Sequence, residues 1–389
     1  MNAKAEFLHP GLLAPGTGWA RRHVADLLRP AGLTLDGPRA CDPQIRRTRA
    51  YWRVLFGGTL GAGESFVAGD WDCAALDEFT ARLLAADADA PLARLRVRAL
   101  LARVRDLAVN PQTRARARAD IRSHYDLDDD LYAAMLGRTR AYSCAYWRNA
   151  STLDEAQDAK HELIARKLAL RPGMRVLDIG CGWGAFARHA AERHGVRVVG
   201  LTISPAQAAV ARARCAAWPV DIRLSDYRDV TGRFDRVVSV GMFEHVGPTN
   251  YRRYFDTIAG VLEPDGLALL HTIGGRDAGG SFDPWIAKYI FPHAVLPSAE
   301  QVAHACTGRF VIEDWENLGA DYDRTLLAWH RNIDQAWLAR GSRFSAAFRR
   351  LWRYYLLTCA GTFRARRNQL WQIVLAPHGQ VGGYRRPLI

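Results

Sequence analysis

Long hydrophobic runs are absent from this sequence of 389 residues. A membrane-spanning helix needs about 20 consecutive apolar residues, and no run in the chain approaches that length. The first residues also lack a charged segment followed by an apolar one, which is the pattern of a secretory signal. We therefore expect a cytoplasmic protein without a membrane-spanning helix.

Paired cysteines are absent as well. The seven cysteines are dispersed, with no CxxC pair and no histidine at the spacing of a zinc site. An odd, scattered set in a chain of this length is typical of reduced thiols in a cytosol. The sequence thus predicts neither a disulfide framework nor a bound metal.

Lysine is scarce, although the net charge is strongly positive. It occurs only at Lys4, Lys160, Lys167 and Lys288, so arginine supplies nearly all of the positive charge. The 53 basic and 40 acidic residues give a net charge of +13. Such an excess favours an anionic partner, either a nucleic acid or the anionic surface of a membrane.

The N-terminal part of the chain has a helical pattern, with glycine-rich breaks at Gly57-Gly58 and Gly61–Gly63. A basic segment, Leu92–Arg122, follows it. That segment is either an amphipathic helix on a membrane surface or a solvated helix packed on a neighbour. Asn110-Pro111 interrupts it and marks the predicted boundary between a domain at 1–110 and one at 111–389. The predicted N-terminal helices are Gly18–Leu28, Pro43–Phe56 and Ala74–Ala86.

After Pro172, short β-rich runs alternate with helical stretches. This alternation predicts an α/β fold, in which helices cover both faces of a parallel sheet. Two later segments interrupt it: Gly279–Pro297 is rich in proline and aromatic residues, and Asp323–Leu357 is helical and aromatic. The predicted strands are Arg175–Ile179, Val196–Ile203, Val220–Leu224, Phe234–Val240 and Gly266–Thr272, with Leu370–Ala376 closing the sheet. The predicted helices between them are Gly184–His194, Pro205–Ala217 and Asn250–Leu262.

A glycine-rich turn joins the first of these strands to its helix. Asp178 is followed by Gly180, Gly182 and Gly184, and glycines here permit a tight turn and close approach of a ligand to the backbone. The spacing is neither the GxGxxG of NAD binding nor the GxxxxGK[ST] of a P-loop. It resembles the first motif of Rossmann-like methyltransferases, which bind S-adenosylmethionine. The alternative is a glycine turn without a ligand.

The second predicted strand ends without the acidic residue that commonly binds ribose hydroxyls. Thr202 and Gln207, one helical turn further on, offer hydrogen-bonding groups instead. Asp226 follows the third strand. It either accepts a hydrogen bond from an adenine amine or caps a helix.

Motifs along nearly the whole chain resemble those of a single protein family. They are GAGESFVAGDWDC (Gly61–Cys73), HYDLDDDLY (His124–Tyr132), AYSCAYW (Ala141–Trp147), VLDIGCGWG (Val176–Gly184), SVGMFEHVG (Ser239–Gly247), LLHTIG (Leu269–Gly274), GADYDRTL (Gly319–Leu326) and CAGTFRARRNQLWQ (Cys359–Gln372). Together they resemble the family of cyclopropane and mycolic acid synthases, which are S-adenosylmethionine-dependent methyltransferases. The resemblance implies a Rossmann-like class I methyltransferase domain with a mainly parallel sheet, preceded by a small helical domain.

The resemblance also implies an activity and a site. The activity is transfer of a methyl group from S-adenosylmethionine to the cis double bond of unsaturated phospholipid acyl chains, giving cyclopropane fatty acids. Asp128-Asp129 stands where the family often has Gly-Asn. The implied cofactor-binding residues are Tyr142, Ser143, Asp178, Gly180, Gly182, Gly184, Thr202, Gln207, Tyr227 and Arg228. The implied residues around a bicarbonate ion are Cys144, Glu244, His271, Tyr322 and, through its backbone, Ile273.

This chemistry suits the residue types. Methyl transfer to an alkene leaves a carbocation, which aromatic faces stabilise by about 0.5–2 kcal/mol each without reacting. A weak base such as bicarbonate would then remove a proton, with Glu244 setting charge and orientation, while Cys144 has a packing or hydrogen-bonding role. The aromatic candidates are Tyr142, Tyr146, Trp147, Phe243 and Tyr322, and the alternative for each is an ordinary core position.

The substrate would enter an apolar tunnel. Its candidate walls are Trp285, Ile286, Tyr289, Ile290 and Phe291, unless these form a hydrophobic cluster without a ligand. The basic N-terminal half would hold the enzyme on the inner face of an anionic membrane, and the family implies a homodimer. Three other functions are open: a non-cyclising lipid or small-amine methyltransferase, a nucleic-acid methyltransferase, and a non-catalytic adenosyl- or lipid-binding protein. No nucleic-acid partner is expected, because Met242–His245 replaces a [DNS]PP[FY] motif.

Overall fold

A computed structural model describes residues 16–87, 129–276, 283–340 and 344–387. The basic segment Leu92–Arg122, the predicted boundary at Asn110-Pro111 and Asp128 lie outside these ranges, as do parts of 279–297 and 124–132. Within the described ranges, no helix is both long and apolar enough to cross a bilayer.

A seven-stranded sheet forms the centre of the fold. Its order is β5-β4-β3-β6-β7-β9-β8, with the first five strands parallel and β9 antiparallel to both neighbours. A separate two-stranded ribbon pairs β1 (Gln44–Ile45) with β2 (Trp71–Asp72). The sheet strands are β3 (Arg175–Ile179), β4 (Arg197–Thr202), β5 (Val220–Leu224), β6 (Phe234–Val240), β7 (Leu262–Gly275), β8 (Val311–Asn317) and β9 (Asn368–Ala376).

Helices cover both faces of this sheet, which confirms the predicted α/β architecture. Alternate residues of β3 face opposite ways: Val176 packs with α5 and α6, whereas Leu177 packs with α8 and α10. The described helices are α1 (Thr17–Leu28), α2 (Arg49–Val67), α3 (Leu76–Ala85), α4 (Asp129–Leu136), α5 (Leu153–Lys167), α6 (Ala185–His194), α7 (Pro205–Cys215), α8 (Tyr251–Val261), α9 (Pro284–Tyr289), α10 (Ala299–Cys306), α11 (Gly319–Arg340) and α12 (Ala346–Arg364).

The C-terminal edge of the sheet corrects one prediction. The segment Leu370–Ala376 does not close the sheet, because β9 lies between β7 and β8. Its buried apolar side chains suit an interior strand, whereas β8 has the mixed sequence VIEDWEN and pairs on one side only. That polar edge strand has no sequence pattern strong enough to predict it.

The N-terminal helices correct a second prediction. Helix α2 begins at Arg49 rather than Pro43. The predicted break at Gly57-Gly58 is confirmed by a kink at Gly58, whereas the helix continues through Gly61–Gly63. Only Gly58 leaves helical geometry, with φ 56°. Gly61 and Gly63 are close-packed. A Cβ atom on Gly61 would lie 1.8 Å from the Arg53 carbonyl oxygen, and one on Gly63 would lie 2.4 Å from the Trp285 ring.

The predicted helical segment Asp323–Leu357 is two helices, α11 and α12, which pack against each other. Helix α12 also packs on α2 and α3, and so joins the N-terminal helices to the body of the fold. Arg350 contributes to this contact by donating to the Asp72 carboxylate at 2.9 Å and to the Trp71 carbonyl at 2.8 Å.

Candidate active site

The glycine-rich turn between β3 and α6 has a backbone that requires glycine. Gly180, Gly182 and Gly184 have φ values of 82°, 54° and 78°, in the left-handed region that other residues rarely adopt. The amides of Gly180 and Cys181 donate to the Leu201 carbonyl at 2.9 and 2.8 Å, which ties the turn to β4. A Cβ atom on Gly182 would meet no protein atom within 4 Å, so this turn faces open space.

A cleft lies at the carboxyl ends of β3, β4 and β6. Ligands of open α/β sheets gather at this edge. Gly184 is not on its wall, since it begins α6 against Cys215. The predicted cofactor-binding residues on the wall are Tyr142, Ser143, Asp178, Gly180, Gly182, Thr202, Gln207, Tyr227 and Arg228. The wall also contains Lys160, His161, Trp183, Met242 and His245, which sequence reasoning did not select.

At the end of β4, a hydroxyl orients an amide. The Thr202 hydroxyl donates to Gln207 Oε1 at 2.9 Å, and the Gln207 backbone amide donates to the Ser204 hydroxyl that caps α7. This arrangement fixes the Gln207 side chain in the cleft wall. Its amide NH2 group can then donate to a ligand.

Asp226 caps a helix, which is one of the two interpretations that the sequence left open, whereas its contact with an adenine amine stays a prediction. It caps the short 3-10 helix Tyr227–Asp229 by accepting the Arg228 amide at 3.0 Å, and it also lines the cleft. The Arg228 guanidinium binds both carboxylate oxygens, at 2.7 and 2.6 Å. This hydrogen bonding raises the pKa of Arg228 and keeps the pair charged.

A buried lysine lies next to the glycine turn. Lys160 on α5 donates through Nζ to the Ser143 hydroxyl at 2.8 Å. Burial lowers the pKa of Lys160 to about 7 and raises the pKa of Asp178 to about 7, while the opposite charges partly offset both effects. The scarcity of lysine was the one sequence signal that could have drawn attention to Lys160. Lys160 and Lys167 are both almost fully buried.

A second polar group lies at the ends of β6 and β7. Glu244 Oε1 accepts the Ile273 amide at 2.7 Å, whereas the buried Oε2 has no hydrogen-bond partner in the described part of the chain. Burial raises the pKa of Glu244 to about 7. His271 shares a hydrogen bond of 3.2 Å with Gln372 through Nδ1, and its buried Nε2 also has no partner among the described residues.

Charge and position connect this group to the cleft. Burial lowers the pKa of His271 well below its ordinary value, so the imidazole is neutral near pH 7. The Gly241 amide donates to the His271 carbonyl at 2.9 Å, and Gly241 lines the cleft, as do Met242 and His245 on either side of Glu244. Neither Glu244 nor His271 lines the cleft wall of the described structure, but both are joined to the wall through these residues.

Cys144, Tyr322 and Ile273 belong to one apolar cluster. The Cys144 thiol donates to the Ala145 carbonyl at 3.2 Å, and burial raises its pKa well above the ordinary value, so it is no thiolate nucleophile. The Tyr322 ring lies 4.5 Å from Phe363 and 5.9 Å from Trp329. None of the three lines the cleft wall in the described structure.

Tyr142 connects the cleft to this cluster, because it lines the former and packs on the latter. Its hydroxyl shares a hydrogen bond of 2.8 Å with Tyr355. Tyr146 and Trp147 are buried in the same cluster, whereas Phe243 stacks on Tyr251 at 4.4 Å in a different one. Phe243 therefore has the contacts of an ordinary core residue.

Most of the predicted tunnel residues belong to the same apolar cluster, whereas one does not. Trp285, Ile286 and Ile290 are buried in the cluster, and Phe291 packs on it. Tyr289 is 39% exposed and donates to Glu64 at 2.8 Å, so its hydroxyl contacts the N-terminal helices. Their role as tunnel walls stays a prediction.

Comparison with known proteins gives one consistent result. The family model "Mycolic acid cyclopropane synthetase" matches residues 112–373. The chain is 46% identical over 365 residues to cyclopropane-fatty-acyl-phospholipid synthase of Escherichia coli K12, covering 93% of this chain and 94% of that protein. It is 37% identical over 277 residues to cyclopropane mycolic acid synthase MmaA2 of Mycobacterium tuberculosis, covering 66% and 96%.

Solved structures agree. The structure of MmaA2 from Mycobacterium tuberculosis matches with a TM-score of 0.60 at 34% identity, covering 67% of this chain and 98% of that one. The mycolic acid cyclopropane synthase CmaA1, crystallised with SAH and CTAB, matches with a TM-score of 0.59 at 33% identity, covering 66% and 97%.

Proposed function

This chain belongs to the cyclopropane synthase family of S-adenosylmethionine-dependent methyltransferases, and from that membership we propose its reaction in detail. It transfers the methyl group of S-adenosylmethionine to the cis double bond of unsaturated acyl chains in membrane phospholipids and closes a cyclopropane ring. One observation carries the proposal: Glu244 Oε2 and His271 Nε2 are buried without hydrogen-bond partners among the described residues, and both residues are joined to the cleft wall, Glu244 through its neighbour His245 and His271 through the Gly241 amide.

The cleft residues fit the methyl donor. S-adenosylmethionine supplies a methyl group activated by a sulfonium. The open space at Gly182 lets the backbone approach the ligand, and the oriented Gln207 amide donates to its ribose. Tyr142, Ser143, Tyr227 and Arg228 also line the wall, and the family resemblance would put the first two near the reacting end and the other two near the adenine. Lys160 and Asp178 line the same wall, and burial brings the pKa of each to about 7.

Glu244 and His271 fit a bicarbonate ion, which supplies a weak base for the proton that leaves the transferred methyl group. With the Gln372 amide donating to Nδ1, neutral His271 carries its hydrogen on Nε2 and donates it to an anion. Glu244 Oε2 accepts a hydrogen bond from the protonated oxygen of such an ion. The Ile273 amide holds Glu244 in place, so its role toward the ion would be indirect. By the family resemblance, the Tyr322 hydroxyl would hold the ion and Cys144 would pack beside it, and both belong to the apolar cluster on which Ile273 packs.

Aromatic rings near Tyr142 suit a carbocation. The Tyr142 ring lies 5.2 Å from Trp329 and 5.5 Å from Tyr132. These faces stabilise positive charge by about 0.5–2 kcal/mol each, and the surrounding apolar cluster keeps water from adding to it.

The substrate places the enzyme on the inner face of an anionic membrane, as a peripheral cytoplasmic homodimer. The net charge of +13 supports attraction to anionic headgroups. The stacked rings of Trp19, Trp52 and Phe56, each 5.9 Å from the next, support contact with the headgroup region, since Phe56 is 75% exposed.

Mass spectrometry of lipids tests this function. Purified protein is incubated with S-adenosylmethionine and vesicles of monounsaturated phospholipid, with and without bicarbonate. The expected product gains one CH2 and loses its double bond, and it fails to form in bicarbonate-free buffer. A saturated methyl-branched chain or a retained alkene would mean methyl transfer without ring closure. No lipid product, with cofactor binding intact, would favour a small-amine or non-catalytic protein.

A matched pair of variants links the reaction to the site. Glu244→Gln removes the carboxylate but keeps an oxygen for the Ile273 amide, and we expect turnover to fall about a hundredfold while cofactor affinity stays unchanged. Glu300→Gln, an exposed glutamate on α10, is the control and should retain full turnover. Loss of cofactor affinity in Glu244→Gln would contradict the assigned position.

A further inference from the structure

A cluster of histidines and carboxylates lies between α5 and α6, and one of its members, His161, also lines the cofactor cleft. Asp158, His161 and Glu162 are three and four residues apart on α5, so they share one face of the helix. His189 and His194 come from α6, which packs on that face. The two helices thus bring five potential metal ligands together.

Three of these side chains already have the spacing of a metal site. Glu162 Oε2 lies 3.0 Å from His194 Nε2 and 3.6 Å from His189 Nε2, and the three ligand atoms all lie within 4.8 Å of one another. Ligand atoms in a tetrahedral zinc site with bonds of about 2.0–2.1 Å are about 3.3 Å apart. The observed distances lie on either side of that value.

Hydrogen bonds already orient these side chains. Glu162 Oε2 and His194 Nε2 share a hydrogen bond of 3.0 Å, which a bound ion would replace. The buried Nε2 of His189 has no hydrogen-bond partner in the described structure. Arg166 binds Glu162 through Oε1 at 2.6 Å, so it orients the carboxylate and leaves Oε2 for the cluster. Such a partner for a ligating carboxylate is typical of metal sites.

The charges around this point are of both signs, and the cavity wall also contains Arg193 and Arg214. His194 is the last residue of α6, where the helix dipole is negative. Among the nearby arginines, Arg138 is paired with Asp158 at 2.6 Å and Arg188 with Glu192 at 3.3 Å. The alternative set is Asp158, His161 and His189. Because His161 also lines the cofactor cleft, Glu162, His189 and His194 are the better set of ligands.

The cluster opens to a cavity of about 1010 Å³, which offers an entry path and room for water as a fourth ligand. We propose that Glu162, His189 and His194 form a binding site for a divalent transition metal of the zinc class. The bound ion links α5 to α6, the helix that begins directly after the nucleotide turn. The sequence predicted no metal because its ligands come from two helices and follow no local zinc spacing.

Direct metal binding by the untagged full-length protein tests the site. Protein stripped with a chelator is titrated with Zn²⁺ alone by calorimetry, and with Co²⁺ alone by visible absorption, which reports a site of low coordination number. We expect one ion per chain, and at least a tenfold loss of affinity in each of Glu162→Gln, His189→Ala and His194→Ala. His330→Gln, which breaks a remote histidine–aspartate pair on α11, is the control and should bind as the parent does.

S-adenosylmethionine binding shows that each variant is folded. Absence of Zn²⁺ and Co²⁺ binding by the parent protein would overturn the proposal and leave Glu162 in a structural ion pair. Binding that His189→Ala weakens but His194→Ala does not would also overturn the assignment, because the ligands would then be Asp158, His161 and His189.

Discussion

Replacing Glu244 by glutamine should stabilise the fold at high pH while it removes activity. The carboxyl group is buried, and burial raises its pKa from an ordinary value of 4.5 to about 7. In the unfolded chain the group loses its proton near its ordinary pKa, whereas in the folded protein it keeps the proton until about pH 7. Stability is therefore lost as the pH rises from the unfolded pKa through the folded one.

The size of this effect follows from the pKa change. Each pKa unit is worth about 1.4 kcal/mol, so ionising Glu244 in the folded state costs about 3 kcal/mol above pH 8. Glutamine escapes this cost because it never ionises and still accepts the Ile273 amide. Below about pH 4.5 the wild-type side chain is neutral in both states, and the pH-dependent advantage of the variant disappears.

Urea unfolding followed by tryptophan fluorescence measures the difference. Wild type and Glu244→Gln are compared at pH 5 and at pH 8.5 in bicarbonate-free buffer, with Glu300→Gln as the exposed control. The expected result is a stability gain for Glu244→Gln that grows by about 3 kcal/mol toward the higher pH and is absent in the control. Equal or lower relative stability of Glu244→Gln at pH 8.5 would refute the assigned burial of an ionising carboxylate.

Three further changes test other parts of the site. Gly182→Val forces a β-branched residue to φ 54° and fills open space in the cleft, so calorimetry should detect no cofactor binding. The control Gly32→Val, at φ 64° and far from the cleft, should bind the cofactor normally. Normal cofactor binding by both variants would contradict the role of the glycine turn. Lys160→Met removes the hydrogen bond that Lys160 donates to Ser143 and the charge beside Asp178. We expect calorimetry to show at least a tenfold loss of cofactor affinity, and unchanged affinity would contradict this role of Lys160. Reversing arginines between Arg94 and Arg118 should weaken flotation with anionic vesicles by about 1 kcal/mol per charge without changing cofactor affinity. Unchanged flotation would favour the solvated helix instead.

Much of the sheet could be predicted because short β-rich runs alternate with helical stretches along the chain. The bounds of β3, β5 and β6 match the predicted strands. The strand β8 could not be predicted, because its acidic residues suit an edge position that only tertiary pairing creates. The glycines of α2 likewise indicate turns locally, whereas Gly63 is needed for contact with Trp285, more than two hundred residues away.

The site was predictable where the chain is locally constrained. The turn at Gly180 and Gly182 has a left-handed backbone, which favours glycine, so the glycine motif in the sequence predicts the turn. Lys160 could not be assigned to the cleft, because only the packing of α5 directs it to Ser143. Gln372 was missed for a similar reason, since the antiparallel register of β7 and β9 places it opposite His271.

Isotope labelling of the methyl donor tests the proposed reaction most directly. The protein is incubated with S-adenosylmethionine carrying a fully deuterated methyl group and with vesicles of monounsaturated phospholipid, and the acyl chains are analysed by mass spectrometry. The proposed function predicts a ring carbon that has lost a single deuterium from the transferred methyl group, because ring closure removes a hydron from it. A product that retains every deuterium of that group in an open, branched chain would contradict the proposed cyclisation.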